Sequence, residues 1–475
     1  MKSLRPSMLF LTSALAAATG AGCGGSSAKP VDGGPGADAA PTLPTPAWDW
    51  AGVIGTGQSL AVGVMGTPPL ATGEPSGYGN LKLFLGSLVV PPFDPTSGLL
   101  KMVQLDEPLR AFSTMYPEAY PGNIDGETPH TAMADQITSL YLAAGGAGYV
   151  TAHTEVGESG QGYLEIEKGA TYTTNNGTTG TGTAGLAYAA SLFEAQAITN
   201  LAMAAGKTYG VGAIIITHGE ADAGNTDYEA DLVQLWTDYN ADLPPITGQS
   251  TTTSIPLLVS QQHSTPSGVG TTSVSTLAQW MVGVDHPGDI ICSGPKYQYP
   301  YASDATHLTA QGYDMLGEKY GQVYYQKAVL GQDWQPLQPI SVSVSGAVIT
   351  LKFHVPVPPL VMDPDTVTPP PQQAVPEWMN GHGFEVNSAG APATIQSVQI
   401  VGDDTVQITV GDTLSSLNSS VSYAFTANAA AMPATATMPA GTVRWGQLHD
   451  SDPFVGSTTG LPQTNHCVAF QMPIQ

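Results

Sequence analysis

Residues 211–217 read VGAIIIT, an uninterrupted apolar and β-branched run with no polar alternation. A strand of this kind is covered on both faces, and only a sheet layered between helices covers both. A second run of the same type is IPLLVS at 255–260, with WAGVIG at 50–55 as a third and AGYVTA at 147–152 as a weaker fourth. Helix-like stretches lie between them at 131–144, 186–205 and 227–239. A last one follows His307, where Tyr313, Leu316, Tyr320, Val323 and Ala328 recur near three-to-four spacing. Strand followed by helix, repeated, predicts an α/β fold with an open parallel sheet over residues 47–335. Ligands of such sheets bind beyond the carboxyl ends of the strands.

The texture changes after about residue 335. Ile349, Leu351, Phe353, Val355 and Val357 alternate strictly, as do Val406, Ile408 and Val410, and then Val421, Tyr423 and Phe425. Period-two alternation gives a sheet with one face buried and one wet, the antiparallel pattern. Residues 395–401 and 405–410 flank Gly402-Asp403-Asp404 and read as a hairpin. Residues 338–475 are therefore expected to form a separate antiparallel β-sandwich, and no internal repeat suggests a propeller or solenoid.

The 475-residue chain carries 13 Lys+Arg against 38 Asp+Glu, a formal charge of −25, which repels phosphate backbones and argues against nucleic-acid binding. Residues 1–22 hold Lys2 and Arg5, an apolar run over 8–18 and then small residues, the plan of a signal peptide too short to span a bilayer. Cys23 follows Gly20-Ala21-Gly22 and resembles a bacterial lipobox cysteine, with Gly20 in the place of the usual Leu. The expectation is an exported protein, lipid-anchored to the bacterial membrane through Cys23, or else secreted after ordinary cleavage. Residues 23–46 are Gly/Ala/Pro-rich and read as a tether. Cys292 and Cys467 remain, either bridged, as an oxidising compartment permits, or buried and reduced. No HExxH, CxxC or clustered His/Cys spacing supports a metal site.

The segments that follow the strands carry the chemistry. The first strand leads into Gly57-Gln58-Ser59-Leu60, which puts a serine at the carboxyl edge of the sheet. A nucleophilic serine needs a base, and the base needs an orienting carboxylate. Asp304-Ala305-Thr306-His307 stands just before the last helix and supplies both at a spacing that lets the carboxylate reach the imidazole. Gly157-Glu158-Ser159-Gly160 and His218-Gly219-Glu220-Ala221-Asp222 follow two other strands.

These four ordered blocks, spread over roughly residues 50–330, resemble those of the SGNH (GDSL-type) hydrolase superfamily. Gln58 in place of the usual Asp, and the HGEAD run in place of QGExD, point to its sialate O-acetylesterase and acetylxylan-esterase-like branch. Ala61 separates the first block from the GxSxG elbow. The resemblance implies a three-layer α/β/α, flavodoxin-like sheet and a Ser59–His307–Asp304 triad, with Ser59 and Gly160 amides lining an oxyanion hole. It implies no metal or organic cofactor. The Asn that many such enzymes add to the oxyanion hole has no counterpart here. His218 with Gly219 is then either an oxyanion donor or a structural element, while Glu220 and Asp222 brace the loop, through backbone amides or Gln58. Asp222 is the alternative triad acid, and His263 after the 255–260 strand is a candidate substrate contact. The Thr-rich residues 171–183 read as a surface excursion or a sugar-facing loop, Asp285-His286 has nothing placing it against Ser59, and Trp445 in WGQLHD reads as an aromatic of the core or domain interface or as a carbohydrate contact. The expected substrate is acetylated carbohydrate or another small ester; the alternatives are a short-chain acyl or lipid esterase and a non-catalytic glycan-binding protein. The sequence leaves the oligomeric state unknown.

Overall fold

In the computed structural model, residues 43–84, 93–109, 126–170, 186–265, 272–362, 380–415, 417–427 and 442–474 are described. The strands of the first part are β1 (Trp50–Gly57), β2 (Leu81–Phe84), β3 (Lys101–Gln104), β4 (Thr151–Glu155), β5 (Tyr209–Thr217), β6 (Leu257–Gln261), the two-residue β7 (Ser264–Thr265) and β8 (Ile290–Pro295). All but β7 form one seven-stranded sheet of order β3-β2-β4-β1-β5-β6-β8. Only the edge strand β3 is antiparallel to its neighbour. Strands β2, β3 and β4 lie on one side of β1 and β5, β6 and β8 on the other, so the switch point falls between β1 and β5.

Every residue of β5 is buried, as an unalternated run requires. Val53, Ala213, Ile215, Leu258 and Ile291 pack on Met133 and Ile137 of α1 (Pro129–Ala143) and on Leu316 and Tyr320 of α6 (Ala310–Tyr324). The opposite side of the strands, Ile54, Ile214, Ile216, Leu257 and Val259, shares a core with α3 (Ala187–Ala204), α4 (Tyr228–Thr247) and α5 (Val274–Asp285). A single turn of helix, α2 (Tyr163–Ile166), precedes α3.

The second part holds β9 (Gln338–Ser345), β10 (Val348–His354), β11 (Val361–Met362), β12 (Phe384–Ser388), β13 (Ala391–Pro392), β14 (Ile395–Ile400), β15 (Thr405–Val410), β16 (Ser419–Tyr423), β17 (Thr442–Val443), β18 (Leu448–His449) and β19 (Phe470–Ile474). Two four-stranded antiparallel sheets, β14-β15-β10-β9 and β13-β12-β16-β19, make the sandwich that the alternation predicts, including the β14–β15 hairpin. Its buried row, Ile349, Leu351, Phe353, Val406, Val421 and Phe470, belongs to the same apolar core as α3, α4 and α5. From Leu43 to Gln475 the chain is one compact unit. The Gln261 side chain makes two bonds to Ala469, at 2.8 and 2.7 Å, Trp280 Nε1 donates to Gln338 Oε1 at 2.7 Å, and β7 pairs with β17.

Several expectations need correction. The strand expected at 147–152 is displaced to β4, whose buried residues are Thr, Ala, His, Thr and Glu and so carry no hydrophobic signal. Helix α4 runs on past 239 through Pro244 and Pro245 to Thr247, because Trp236 and Asn240 tie its last turns to the Ile255 carbonyl. Cys292 and Cys467 are both buried free thiols, so the bridged alternative does not hold. Burial raises the Cys292 thiol to about 12, which suits a side chain filling core volume. The residue 171–183 excursion and Cys23 lie outside the described residues.

Candidate active site

Strand β1 ends in a turn that only glycine can start. Gly57 has φ +141, and a Cβ there would lie 2.3 Å from the Thr217 carbonyl oxygen. The next amide, Gln58 N, donates to that same oxygen at 3.2 Å, and the chain then coils, with Ala61 N donating to Gln58 O and Val64 N to Ser59 O. Ser59 therefore leaves the sheet at the carboxyl edge beside β5, at the switch point.

The partner residues come from the loop before α6. Tyr301 and Leu308 bridge its two sides, and Ala302 N donates to His307 O at 2.8 Å. Thr309 caps α6 by accepting from Gly312 N at 3.2 Å. Asp304 Oδ1 accepts the amides of Thr306 and His307 at 3.0 and 2.9 Å, and Oδ2 lies 2.5 Å from His307 Nδ1. His307 Nε2 lies 2.7 Å from Ser59 Oγ, across 248 positions of sequence. Burial alone would raise the Asp304 carboxyl, but the bonds from the His307 ring and the two amides outweigh it and hold it below the usual carboxylate range. Asp304 is thus an anion facing an imidazole whose other nitrogen faces a hydroxyl. Tyr313 on α6 donates to Val64 O at 2.8 Å and fastens this helix to the coil after Ser59.

The other two blocks surround the serine. In the turn 157–161 the amides of Gly157, Glu158 and Gln161 donate to Glu155 Oε1, Gly57 O and Glu158 O. Among the described residues the Ser59 and Gly160 amides have no protein acceptor. Gln58 Oε1 accepts from Ala221 N at 3.1 Å, and Asp222 Oδ2 accepts from Tyr163 N at 2.6 Å, so both brace the loop after β5. Asp222 lies 3.8 Å from His218 Nδ1, whereas His307 is held by Asp304. Glu220 makes an ion pair with Lys296 at 3.1 Å, both buried.

Of the two readings open for His218 the geometry fits the structural one, and His263 departs from expectation. His218 is fully buried, with Nδ1 2.8 Å from Tyr228 Oη and Nε2 3.1 Å from the Gln161 carbonyl. A ring with both nitrogens committed has no N–H left for an oxyanion, so His218 braces the turn that carries Gly160. Gly219, with φ +120, accepts from Ser275 Oγ through its carbonyl and from the Asp222 amide. His263 is also fully buried, stacked on Tyr301 at 4.2 Å, and as folded it offers no surface to a substrate. Burial, with Lys296 and His307 nearby, holds it well below the usual imidazole range. Asp285 and His286 end α5, where Asp285 interacts with Glu229 of α4, and Trp445 is buried in the core.

Sequence reasoning missed a buried row against Gly55 of β1, His130, His153 and Glu155, and the fully buried Arg444 that β17 delivers beside His263. Ionisable residues in a strand with no apolar alternation were the available signal for the first; nothing local marks the second.

No family model and no curated protein matches the chain. Among solved structures it is similar to a carbohydrate acetylesterase from Xanthomonas citri, at 13% identity and TM-score 0.48, covering 89% of this chain and 80% of that one. It is also similar to a protein from Arabidopsis thaliana, at 16% identity and TM-score 0.39, covering 58% and 98%. A third is NanS, at 14% identity and TM-score 0.25, covering 46% and 69%.

Proposed function

We propose that this chain is an exported serine esterase that removes O-acetyl groups from carbohydrate. The observation that carries the reading is the continuous contact from Ser59 Oγ to His307 Nε2, 2.7 Å, and from His307 Nδ1 to Asp304 Oδ2, 2.5 Å. In this reading Ser59 attacks the ester carbonyl as His307 takes its proton, and Asp304 stabilises the imidazolium and fixes its tautomer. The Ser59 and Gly160 amides meet the developing oxyanion. His307 then protonates the leaving alcohol, and a water hydrolyses the acyl-enzyme by the same base. The acetyl and carbohydrate parts of the proposal rest on the Gln58 and HGEAD resemblance.

The test is acetate release from a panel of acetylated polysaccharides and p-nitrophenyl esters of increasing chain length. The proposal expects release from acetylated sugar and a steep fall beyond short acyl chains. Activity confined to longer acyl esters would replace it with the lipid-esterase reading, and no hydrolysis at all with the glycan-binding one. Residues 1–22 are proposed as the signal peptide, Cys23 as the lipidated residue, and residues 23–46 as the tether. Cys23→Ser should then move the protein from the membrane to the soluble exported fraction, and unchanged fractionation would exclude the anchor.

A further inference from the structure

Against Gly55 of β1, four residues before the serine, lie ionisable side chains that the triad does not use, Glu155 and His130, with His153 beside His130. Glu155 ends β4, and both of its oxygens are committed. Oε1 accepts from the Gly157 amide at 2.6 Å, and Oε2 lies 3.0 Å from His130 Nε2. His130 Nδ1 in turn lies 2.9 Å from His153 Nδ1. Exposure is 1% for Glu155 and 0% for both histidines, so no bulk water screens the row.

The order of protons follows from the partners. Burial and the neighbouring His130 hold His153 well below the usual imidazole range, so it is neutral. Its Nε2 has no partner among the described residues, and a buried N–H is left unpaired more rarely than an acceptor. Nε2 is then the bare nitrogen, and His153 Nδ1–H donates to His130 Nδ1. His130 Nε2–H donates to Glu155 Oε2, while Glu155 Oε1 accepts from the Gly157 amide.

The packing shows what the Glu155 side chain fixes. A Cβ on Gly55 of β1 would lie 2.2 Å from both Glu155 Oε2 and His130 Nε2, so the nucleophile strand rests directly on the pair. Val156 N donates to Gly55 O and Glu158 N to Gly57 O, at 3.1 and 2.8 Å. With Gly157 N taken by Glu155, the first three peptides after β4 are all tied to it or to β1. The Gly160 amide beyond them has no acceptor among the described residues.

We infer that Glu155, oriented by His130, is a positioning residue that sets the turn 157–160 so that the Gly160 amide faces the reacting carbonyl. The inference rests on the esterase reading and names the device that supports its oxyanion hole. A displaced oxyanion donor weakens binding of the transition state more than of the ground state, so kcat should fall while KM holds.

The experiment measures kcat and KM of the full chain for p-nitrophenyl acetate, with Ser59→Ala as the control. Glu155→Gln keeps the volume and an acceptor for Gly157 but puts an NH2 group in place of the oxygen that accepts from His130. Its kcat should drop about 10- to 100-fold, somewhat less than outright loss of an oxyanion donor, with KM within about twofold. His130→Leu should show the same split, and His130→Gln, which restores a donor, should recover most of the loss. This pair decides the matter if the Glu155 variant does not fold. Wild-type kcat in folded Glu155→Gln or in His130→Leu would overturn the inference while leaving the esterase reading intact. So would a kcat loss that merely follows the folded fraction in the melting curve. A wild-type protein no more active than Ser59→Ala overturns both.

Discussion

Ser59 reaches its partner because Gly57 turns the chain where no other residue fits. Gly57→Ala would place a methyl against the Thr217 carbonyl in a backbone region costing about 1–3 kcal/mol for a residue with a side chain. It should lower the melting temperature and also displace the serine, so activity should fall further than the folded fraction; equal falls in a melt and an assay would reject this account of the turn. Ser59→Ala changes no packing of comparable size. It should abolish p-nitrophenyl acetate hydrolysis, at least about a thousandfold, with an unchanged melt. At this scale the sequence was readable for Ser59, Asp304 and His307, because each follows a strand or precedes a helix whose pattern is clear. His218 was not, because its partners Tyr228 and Gln161 are set by tertiary packing that no local spacing reveals.

Helix α6 ties the site to a group of buried acids. Asp314 pairs with Glu127, whose Oε2 accepts from Ala71 N at 3.1 Å, and Glu107 lies close enough to raise Asp314 further. Burial first, and then the Glu127 charge, push Asp314 from 3.8 to about 10, and burial with Glu127 pushes Glu107 to about 8. A raised carboxyl pKa means the folded state holds a proton that the unfolded chain has lost. The contribution is whole below about pH 4 and declines as pH rises towards 8 to 10. The buried His153 and His263, held well below the usual imidazole range, give the opposite slope below about pH 6.5. The melting temperature should therefore fall from pH 7 to pH 9, and Asp314→Asn, which keeps a donor for Glu127, should flatten that slope. A slope unchanged in the variant would contradict the assignment. Elements were legible wherever burial is apolar, as in β1, β5, β6 and the alternating β10 and β15. They were not where buried groups are polar, as in β4, or where a strand is short and runs into Gly and Pro, as in β8 (IICSGP).

The molecule as a whole is an α/β sheet with an antiparallel sandwich fixed to its side. Beside the shared apolar core, the joint holds buried polar contacts: Gln261 with Ala469, Tyr297 Oη donating to Cys467 O at 2.6 Å, and Arg444 N donating to His263 O at 2.9 Å. The sequence concealed them because each joins residues far apart in the chain. They also take the place a disulfide would have filled. Alkylation of the denatured, unreduced protein should find both Cys292 and Cys467 modified, and dithiothreitol should leave the melting temperature unchanged. Protection of both thiols until reduction would contradict this.

Covalent labelling tests the central claim most directly. The purified protein is treated with a fluorophosphonate, and the adduct is located by peptide mass spectrometry. The account predicts one adduct, on Ser59, formed rapidly in the wild type, absent in Ser59→Ala and strongly slowed in His307→Ala. An adduct on another residue, or hydrolysis of acetyl esters by a protein that Ser59→Ala leaves active, would contradict it.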